Sequence, residues 1–333
     1  MYNILMGNSN MRKAKGAKKD EFYTQFHEIV NELSNYKLEY KGTVVWCPCD
    51  DYDTSNFCKY FEGVKSEWEI VKLIFTSYPN GKTRVVNTDG SIRDLVVGDG
   101  DFRNKEVQDF VKKEADGYQI TCGTNPPFSI FDEFLYTLEE MGVKHCTLGA
   151  WNAFFNKEVW KLYFHDKLWL GYGRNKTMTF EVPDDYKGEF IDGKKMCKVP
   201  GISWWTNFPI GEKVEKFKTD CKYNSETYPT YSNFDAIHVS NTNKIPMDYD
   251  GLMGVPGNYI NVHDGENFEI VGVFNGYAES NPEDGLFCGE KLETTDTNGK
   301  KTKFSGPVLP HPTIPNAYKA KFGRLLIRKK LDK

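Results

Sequence analysis

Asn125, Pro126, Pro127 and Phe128, inside the run TCGTNPPFS (Thr121 to Ser129), are the residues whose types and order point most directly to chemistry. Pro126 and Pro127 lack backbone donors and have fixed φ, so they cannot extend a strand ladder and instead hold a stiff turn with carbonyls aimed outward. The Asn125 side-chain carbonyl and the carbonyl of Pro126 can together accept both hydrogens of one amino group, and Phe128 adds a flat apolar face beside them. Such a set suits an aromatic amine, for example the exocyclic nitrogen of adenine. That nitrogen is a poor nucleophile because its lone pair is delocalised into the ring. Two acceptors that draw its hydrogens out of plane favour a pyramidal nitrogen able to attack an electrophilic methyl group. Asparagine and proline are also common loop residues, so the turn taken alone permits a purely structural reading.

The elements needed to position this turn can be read from periodicity. Apolar residues at Phe22, Phe26, Ile29, Val30 and Leu33 predict a helix from Asp20 to Tyr36, with Asp20 near its N-cap. KGTVVWCPCDD reads as a strand ending at Pro48, followed by a polar turn and a helix from Ser55 to Trp68. EIVKLIFTS is the next strand, and KTRVVNTDGSIRDLVV reads as two short strands around an Asp-Gly turn. Helical spacing from Asn104 to Ala115 precedes the strand GYQITCGT, which delivers the chain to Asn125. SIFDEFLYTLEEMG then predicts a helix closed by Gly142, and VKHCTLGAW a further strand. This alternation makes right-handed crossovers, hence an α/β fold with a mostly parallel sheet and helices on both faces. In such sheets ligands sit beyond the carboxyl ends of the strands, which is where Asn125 falls. Past Trp151 the rhythm changes to short strands such as LWLGYG, MTFEV and ISWWTNF, with no clear crossover helix before the region around Asn267.

At 333 residues, 39% hydrophobic and 15% aromatic, the chain can form one large or two modest domains. No apolar run approaches the roughly 20 residues of a membrane helix, and the first residues do not read as a secretory signal, so a cytoplasmic location is expected. The eight cysteines are scattered, several inside apolar strands, which suits reduced thiols. Cys47, Cys49 and Cys58 have no second pair at zinc spacing, and GDGDFRNKE breaks the ligand pattern of a calcium loop, so no metal is expected. The net charge of −4 disfavours indiscriminate coating of nucleic acid. Two basic clusters stand against it, MRKAKGAKKDEF near the start and YKAKFGRLLIRKK at the end.

TNPPFS resembles the catalytic motif of amino-methyltransferases that use S-adenosylmethionine. The ordered set KKDEFYTQFHEI, VVWCPCDDYDTSNFCKYF, GDGDFR, TNPPFS and NKIPMDYDGLMGVP is more specific. It is similar to adenine-specific DNA methyltransferases of the EcoRI modification type, over most of the chain from about Lys18 to Lys330. The resemblance implies a Rossmann-like methyltransferase sheet with a C-terminal target-recognition region. The implied layout is a flexible basic arm over 1–19, a cofactor-binding catalytic domain over 20–190, and a target-recognition region that returns to the sheet over 191–333.

The resemblance also implies roles. Phe22, Tyr23 and Thr24 become cofactor contacts, although Phe22 could equally be core. The turn CPCDDYDTSNF replaces the usual glycine-rich loop, so Asp50, Asp51, Ser55 and Asn56 would bind through side chains and helix N-terminal amides. A carboxylate there would offset the ammonium and sulfonium charges of S-adenosylmethionine, or would merely cap the helix. Asp101 and Phe102 match the motif that holds the cofactor's adenine, with Asp99 as the alternative. The substrate would be an adenine flipped out of double-stranded DNA and stacked on Phe128, with Trp204 and Trp205 either on its opposite face or in the core. Arg12, Lys13 and Lys15 would contact phosphates. A cognate restriction endonuclease fits as a partner in the same system. Methylation of an RNA base or a protein glutamine, or a catalytically idle DNA-binding homologue, are the alternatives.

Overall fold

A computed structural model describes residues 23–182, 186–211, 219–295, 301–313 and 318–330. Phe22, Arg12, Lys13 and Lys15, and with them the expected basic arm, lie outside the described residues. The chain divides into two compact units. The first spans residues 1–153 and 168–211, the second residues 154–167 and 212–333.

The first unit is built on a sheet of eleven strands. Its elements run β1 (Tyr23–Thr24), α1 (Phe26–Leu33), α2 (Lys37–Tyr40), β2 (Val44–Cys47), α3 (Asn56–Val64), β3 (Lys72–Ser77), β4 (Lys82–Val86) and β5 (Ile92–Val96). They continue with α4 (Lys105–Ala115), β6 (Ile120–Thr124), α5 (Phe131–Glu140), β7 (Lys144–Ala150), β8 (Trp169–Leu170), β9 (Lys176–Glu181), β10 (Glu189–Ile191) and β11 (Lys194–Thr206). Strand order is β1-β9-β11-β7-β6-β2-β3-β4-β5, with β8 and β10 also paired to β11.

The centre, β7-β6-β2-β3, is parallel, as the crossovers require. Both flanks are antiparallel, so the sheet is mixed: β3, β4 and β5 form a meander through short turns, and β11 returns beside β7. β2 and β6 are buried along their whole length; VVWC reads accordingly as a continuous apolar run, while in ITCGT the hydroxyls of Thr121 and Thr124 are paired inside with Thr43 and Asp50. Helix α5 ends in a Schellman motif. Gly142 adopts φ +68°, its N–H donates to the Glu139 carbonyl at 3.0 Å, and Val143 N–H donates to the Leu138 carbonyl at 2.9 Å.

Three expectations about element boundaries change. The first helix starts at Phe26 and not near Asp20, because Tyr23 and Thr24 are extended and pair antiparallel with Glu181 and Phe180. The helix expected from Ser55 to Trp68 is regular only over Asn56–Val64. β11, which follows residue 190, pairs antiparallel with β7, so the sheet of the first unit extends past the boundary expected at 190.

The second unit contains α6 (Lys157–Phe164) and a five-stranded sheet ordered β12 (Ile237–His238), β13 (Met253–Pro256), β20 (Arg324–Lys329), β14 (Phe268–Phe274) and β15 (Leu286–Phe287). Two antiparallel strand pairs accompany it, β16 (Leu292–Thr295) with β17 (Lys301–Phe304), and β18 (Val308–Pro310) with β19 (Tyr318–Ala320). The region around Asn267 leads into β14 and not into a crossover helix. No helix among the described residues is long and apolar enough to cross a membrane.

Candidate active site

A cavity of about 330 Å³ opens at the carboxyl ends of β2, β3 and β6. Its walls come from the turn after β2 (Pro48, Cys49, Asp50, Asp51, Thr54, Ser55), the start of α3 (Asn56, Phe57) and the end of β3 (Ser77, Tyr78). The turn before α4 (Asp101, Phe102, Arg103), the segment after β6 (Asn125, Pro127, Ile130) and β1 (Tyr23, Thr24) complete it. The size is at the lower end of small-molecule sites.

Asp50 is the electrostatic centre of this cavity. It is 7% exposed, and its carboxylate accepts from Ser55 Oγ at 2.5 Å and from the Thr124 hydroxyl. Burial pushes its carboxyl up to about 6, against the opposing effect of those two hydroxyls. Ser55 is also the N-cap of α3, accepting from Phe57 N–H at 3.0 Å and Cys58 N–H at 3.5 Å. One carboxylate therefore joins the start of α3 to the last residue of β6, and Thr124 is followed directly by Asn125. Asp50 fixes where the Asn125 turn stands relative to the helix.

The neighbouring Asp51 is differently placed. Lys82 Nζ lies 2.8 Å from its carboxylate and 2.5 Å from that of Asp53, and stands 4.3 Å from the Tyr52 ring centroid. Arg84 stacks on the same ring at 3.9 Å while pairing bidentately with Asp94. Asp51 thus already shares a cation with Asp53, whereas Asp50 is balanced by hydroxyls alone.

Asp101 and Phe102 both line the cavity. Burial raises the Asp101 carboxyl, but hydrogen bonds from Arg103, whose guanidinium reaches it at 2.7 Å, outweigh that and hold it low. Arg103 also reaches Glu133 at 2.8 Å, tying the turn to α5. Phe102 packs edge-on against Phe134 with centroids 5.2 Å apart. Asp99, the alternative to Asp101, is not in the cavity wall: its Oδ1 accepts from Asp101 N–H at 3.1 Å and Asn104 Nδ2 at 3.0 Å, which shapes the turn. Gly100 between them has φ +78°, and a Cβ there would stand 2.2 Å from the Ser77 carbonyl, so only glycine lets the turn press against the end of β3.

The expected site residues fall into three groups. Tyr23, Thr24, Asp50, Asp51, Ser55, Asn56, Asp101, Phe102, Asn125 and Pro127 are brought together around one cavity. Ser55 and Asn56 are engaged in holding its walls, since Asn56 Nδ2 donates to the Thr24 carbonyl at 2.8 Å and so pins β1 to α3. Pro126 is buried, and Phe128 is half-buried against the main core and outside the cavity wall. Of the two readings of Trp204 and Trp205, their burial supports the core and not the base pocket. They are 1% and 0% exposed, and alternation along β11 sends them to opposite faces of the sheet, Trp204 against Phe57 and Trp205 against Phe131, with ring centroids 6.1 Å apart in each pair. Neither has a face left for a base. The residues that sequence reasoning missed are Thr124, Arg103, Ser77 and Tyr78. Arg103 was the one with a local signal, a cation two residues from an aspartate in a turn.

A family model described as adenine-specific methyltransferase EcoRI matches residues 10–92 and 83–330. The chain belongs to this family. It is 35% identical over 272 residues to the type II methyltransferase M.MpnI of Mycoplasma pneumoniae, covering 78% of this chain and 84% of that one. It is 34% identical over 304 residues to the type II methyltransferase M.EcoRI of Escherichia coli, covering 82% and 91%. The type II methyltransferase M.MgeORF184P of Mycoplasma genitalium is 34% identical over 275 residues, covering 79% and 85%. No solved structure matches the chain. Among the described residues no group of three or more His, Cys, Asp or Glu is arranged to hold a metal ion, and the eight cysteines are free.

Proposed function

We propose that the protein is a site-specific DNA methyltransferase that moves a methyl group from S-adenosylmethionine to the exocyclic amine of an adenine flipped out of double-stranded DNA. The observation that carries this reading is the buried Asp50 carboxylate, set in the same cavity as Asn125 and joined to its strand through Thr124. The cavity suits the cofactor: a carboxylate whose burial is balanced only by hydroxyls gains by meeting a cation, and Phe102 supplies an apolar surface for a ring. S-adenosylmethionine, when bound, would supply an electrophilic methyl on a cationic sulfur. Of the two aspartates after β2, Asp50 is the better partner for that charge, because Asp51 already has Lys82. Asp101 would accept from the adenine amine of the cofactor with lone pairs that Arg103 leaves open.

On the substrate side, Asn125 Oδ1 and the Pro126 carbonyl would accept the two hydrogens of the target amine, localise its lone pair and aim it at the methyl group. As the N–C bond formed, the methyl–sulfur bond would break to leave a neutral thioether and the amine would release one proton to solvent, so no covalent bond to the protein is needed. Phe128 would hold the base only by turning from its core contact. Arg12, Lys13 and Lys15 are proposed to meet phosphates beside the flipped base, and a cognate restriction endonuclease to share the recognition sequence. Mapping methylated bases after incubation with duplex DNA and labelled cofactor tests the reading: the label belongs on adenine N6, and label on cytosine, RNA or protein would overturn it.

A further inference from the structure

The second unit carries a cationic turn that has no acidic partner among the described residues. Lys321, Phe322 and Gly323 connect β19 to β20, with Lys319 before them and Arg324 after. Of the other cations of this end, Arg328 donates to Glu269 at 2.8 and 2.6 Å and Lys330 donates to the Gly265 carbonyl at 2.5 Å, while Lys329 makes no ion pair among the described residues. Lys319, Lys321 and Arg324 make no ion pair among the described residues. Burial and then the charges of Lys319 and Arg324 lower the Lys321 pKa, so its neighbours there make matters worse and do not relieve them. His238, buried and 2.9 Å from the Tyr231 hydroxyl, is likewise pushed down to about 4 by burial and then by Arg324 and Lys321. Arg324 folds back onto the turn, donating to the Phe322 and Gly323 carbonyls at 3.4 and 3.3 Å, yet its Nε is buried with no acceptor among the described residues.

At the crest of this turn Phe322 is 69% exposed. A phenylalanine in water forgoes about 1.5–3 kcal/mol of burial, which contact with the apolar edge of a ligand held by the neighbouring cations would recover. The turn is firmly based. Lys321 N–H donates to the Pro307 carbonyl at 2.8 Å, and the β20 residues Leu325, Leu326 and Ile327 that follow are fully buried between β13 and β14. Mutually repelling cations around an exposed aromatic make a surface completed by a polyanion with apolar edges.

We propose that the Lys319–Arg324 turn is a DNA-contacting surface of the second unit, with Lys319 and Lys321 on backbone phosphates and Phe322 seated in a groove against the bases. Arg324 holds the turn in shape and adds to its field. The proposal rests on the action on duplex DNA argued above.

The test uses the full chain and a fluorescent duplex titrated by anisotropy between about 50 and 200 mM salt. Lys319→Ala with Lys321→Ala should flatten the log–log salt dependence by about 1.8, from two lost contacts at about 0.9 each. Phe322→Ala should weaken binding by up to about 150-fold, the most that burying one phenylalanine side chain supplies, at an unchanged salt slope. Both variants should keep the parent's cofactor affinity by calorimetry, since none of these residues lines the cofactor cavity. If the parent methylates DNA while both variants match it in affinity and slope, the surface assignment is wrong. A parent that neither binds nor methylates duplex DNA overturns the proposed function and this surface with it.

Discussion

Replacing Asp50 with asparagine should move stability and cofactor affinity in opposite directions. The carboxyl is held at about 6, up from 3.8, chiefly by burial, which corresponds to about 3 kcal/mol of strain on the ionised form. The sign follows from the raised value: this cost is absent at pH below about 4, grows as pH rises through 6, and is complete at pH 7. Asp50→Asn should therefore stabilise the ligand-free protein at pH 7, by up to about 3 kcal/mol, while leaving it near parental stability at pH 4. Cofactor binding should respond the other way. A unit charge about 4 Å from the carboxylate is worth about 4 kcal/mol at an effective dielectric of 20, and water in an open cavity cuts this to about 2 kcal/mol, or roughly 30-fold in affinity. Because the bound cation holds Asp50 ionised, parental affinity should also fall as pH drops below 6, levelling off at a loss of about 30-fold, and the variant should lose that dependence. Calorimetry of S-adenosylmethionine binding from pH 5 to 8, beside thermal denaturation, reads both. An Asp50→Asn protein that binds cofactor with the parent's affinity and pH profile would refute the assignment.

The other predictions concern separate walls of the site. Asn125→Ala should lower turnover about 10²–10³-fold, as removal of one transition-state hydrogen bond does, with cofactor affinity by calorimetry kept; near-normal methylation rates would remove Asn125 from the chemistry. Asp101→Ala should weaken cofactor binding more than Asp99→Ala does, and the reverse order in a side-by-side titration would return the role to Asp99. Trp205→Ala should cost about 3–5 kcal/mol in denaturant unfolding, as expected for a buried aromatic; a stable variant with weakened DNA binding would restore it to the substrate pocket.

Where the chain's own periodicity dominates, the elements were legible. VVWC and ITCGT are buried on both faces and could only be central strands, and Gly142 ended its helix as its sequence neighbours required. What escaped notice depended on partners distant in sequence. Tyr23 and Thr24 look helical by spacing, yet the edge provided by Glu181 and Phe180 draws them into the sheet. Trp204 and Trp205 suggest a stacking pair, but on a strand adjacent residues point to opposite faces, and both faces of this sheet are covered. The acidic run after β2 offered two equivalent aspartates; Lys82, from the β4 edge, breaks the equivalence by pairing with Asp51. Thr124 was invisible as a site residue because a threonine in an apolar strand carries no signal until Asp50 is found opposite it.

The central claim is that the Asn125 turn, aligned through Asp50, methylates an adenine amine in DNA. The most direct measurement incubates the protein with duplex DNA and S-adenosylmethionine carrying a labelled methyl group, digests the product to nucleosides and identifies the labelled one. The account predicts label in N6-methyldeoxyadenosine at one short repeated sequence, and almost none with Asn125→Ala. Label on any other base, or equal N6 labelling by Asn125→Ala, would contradict it.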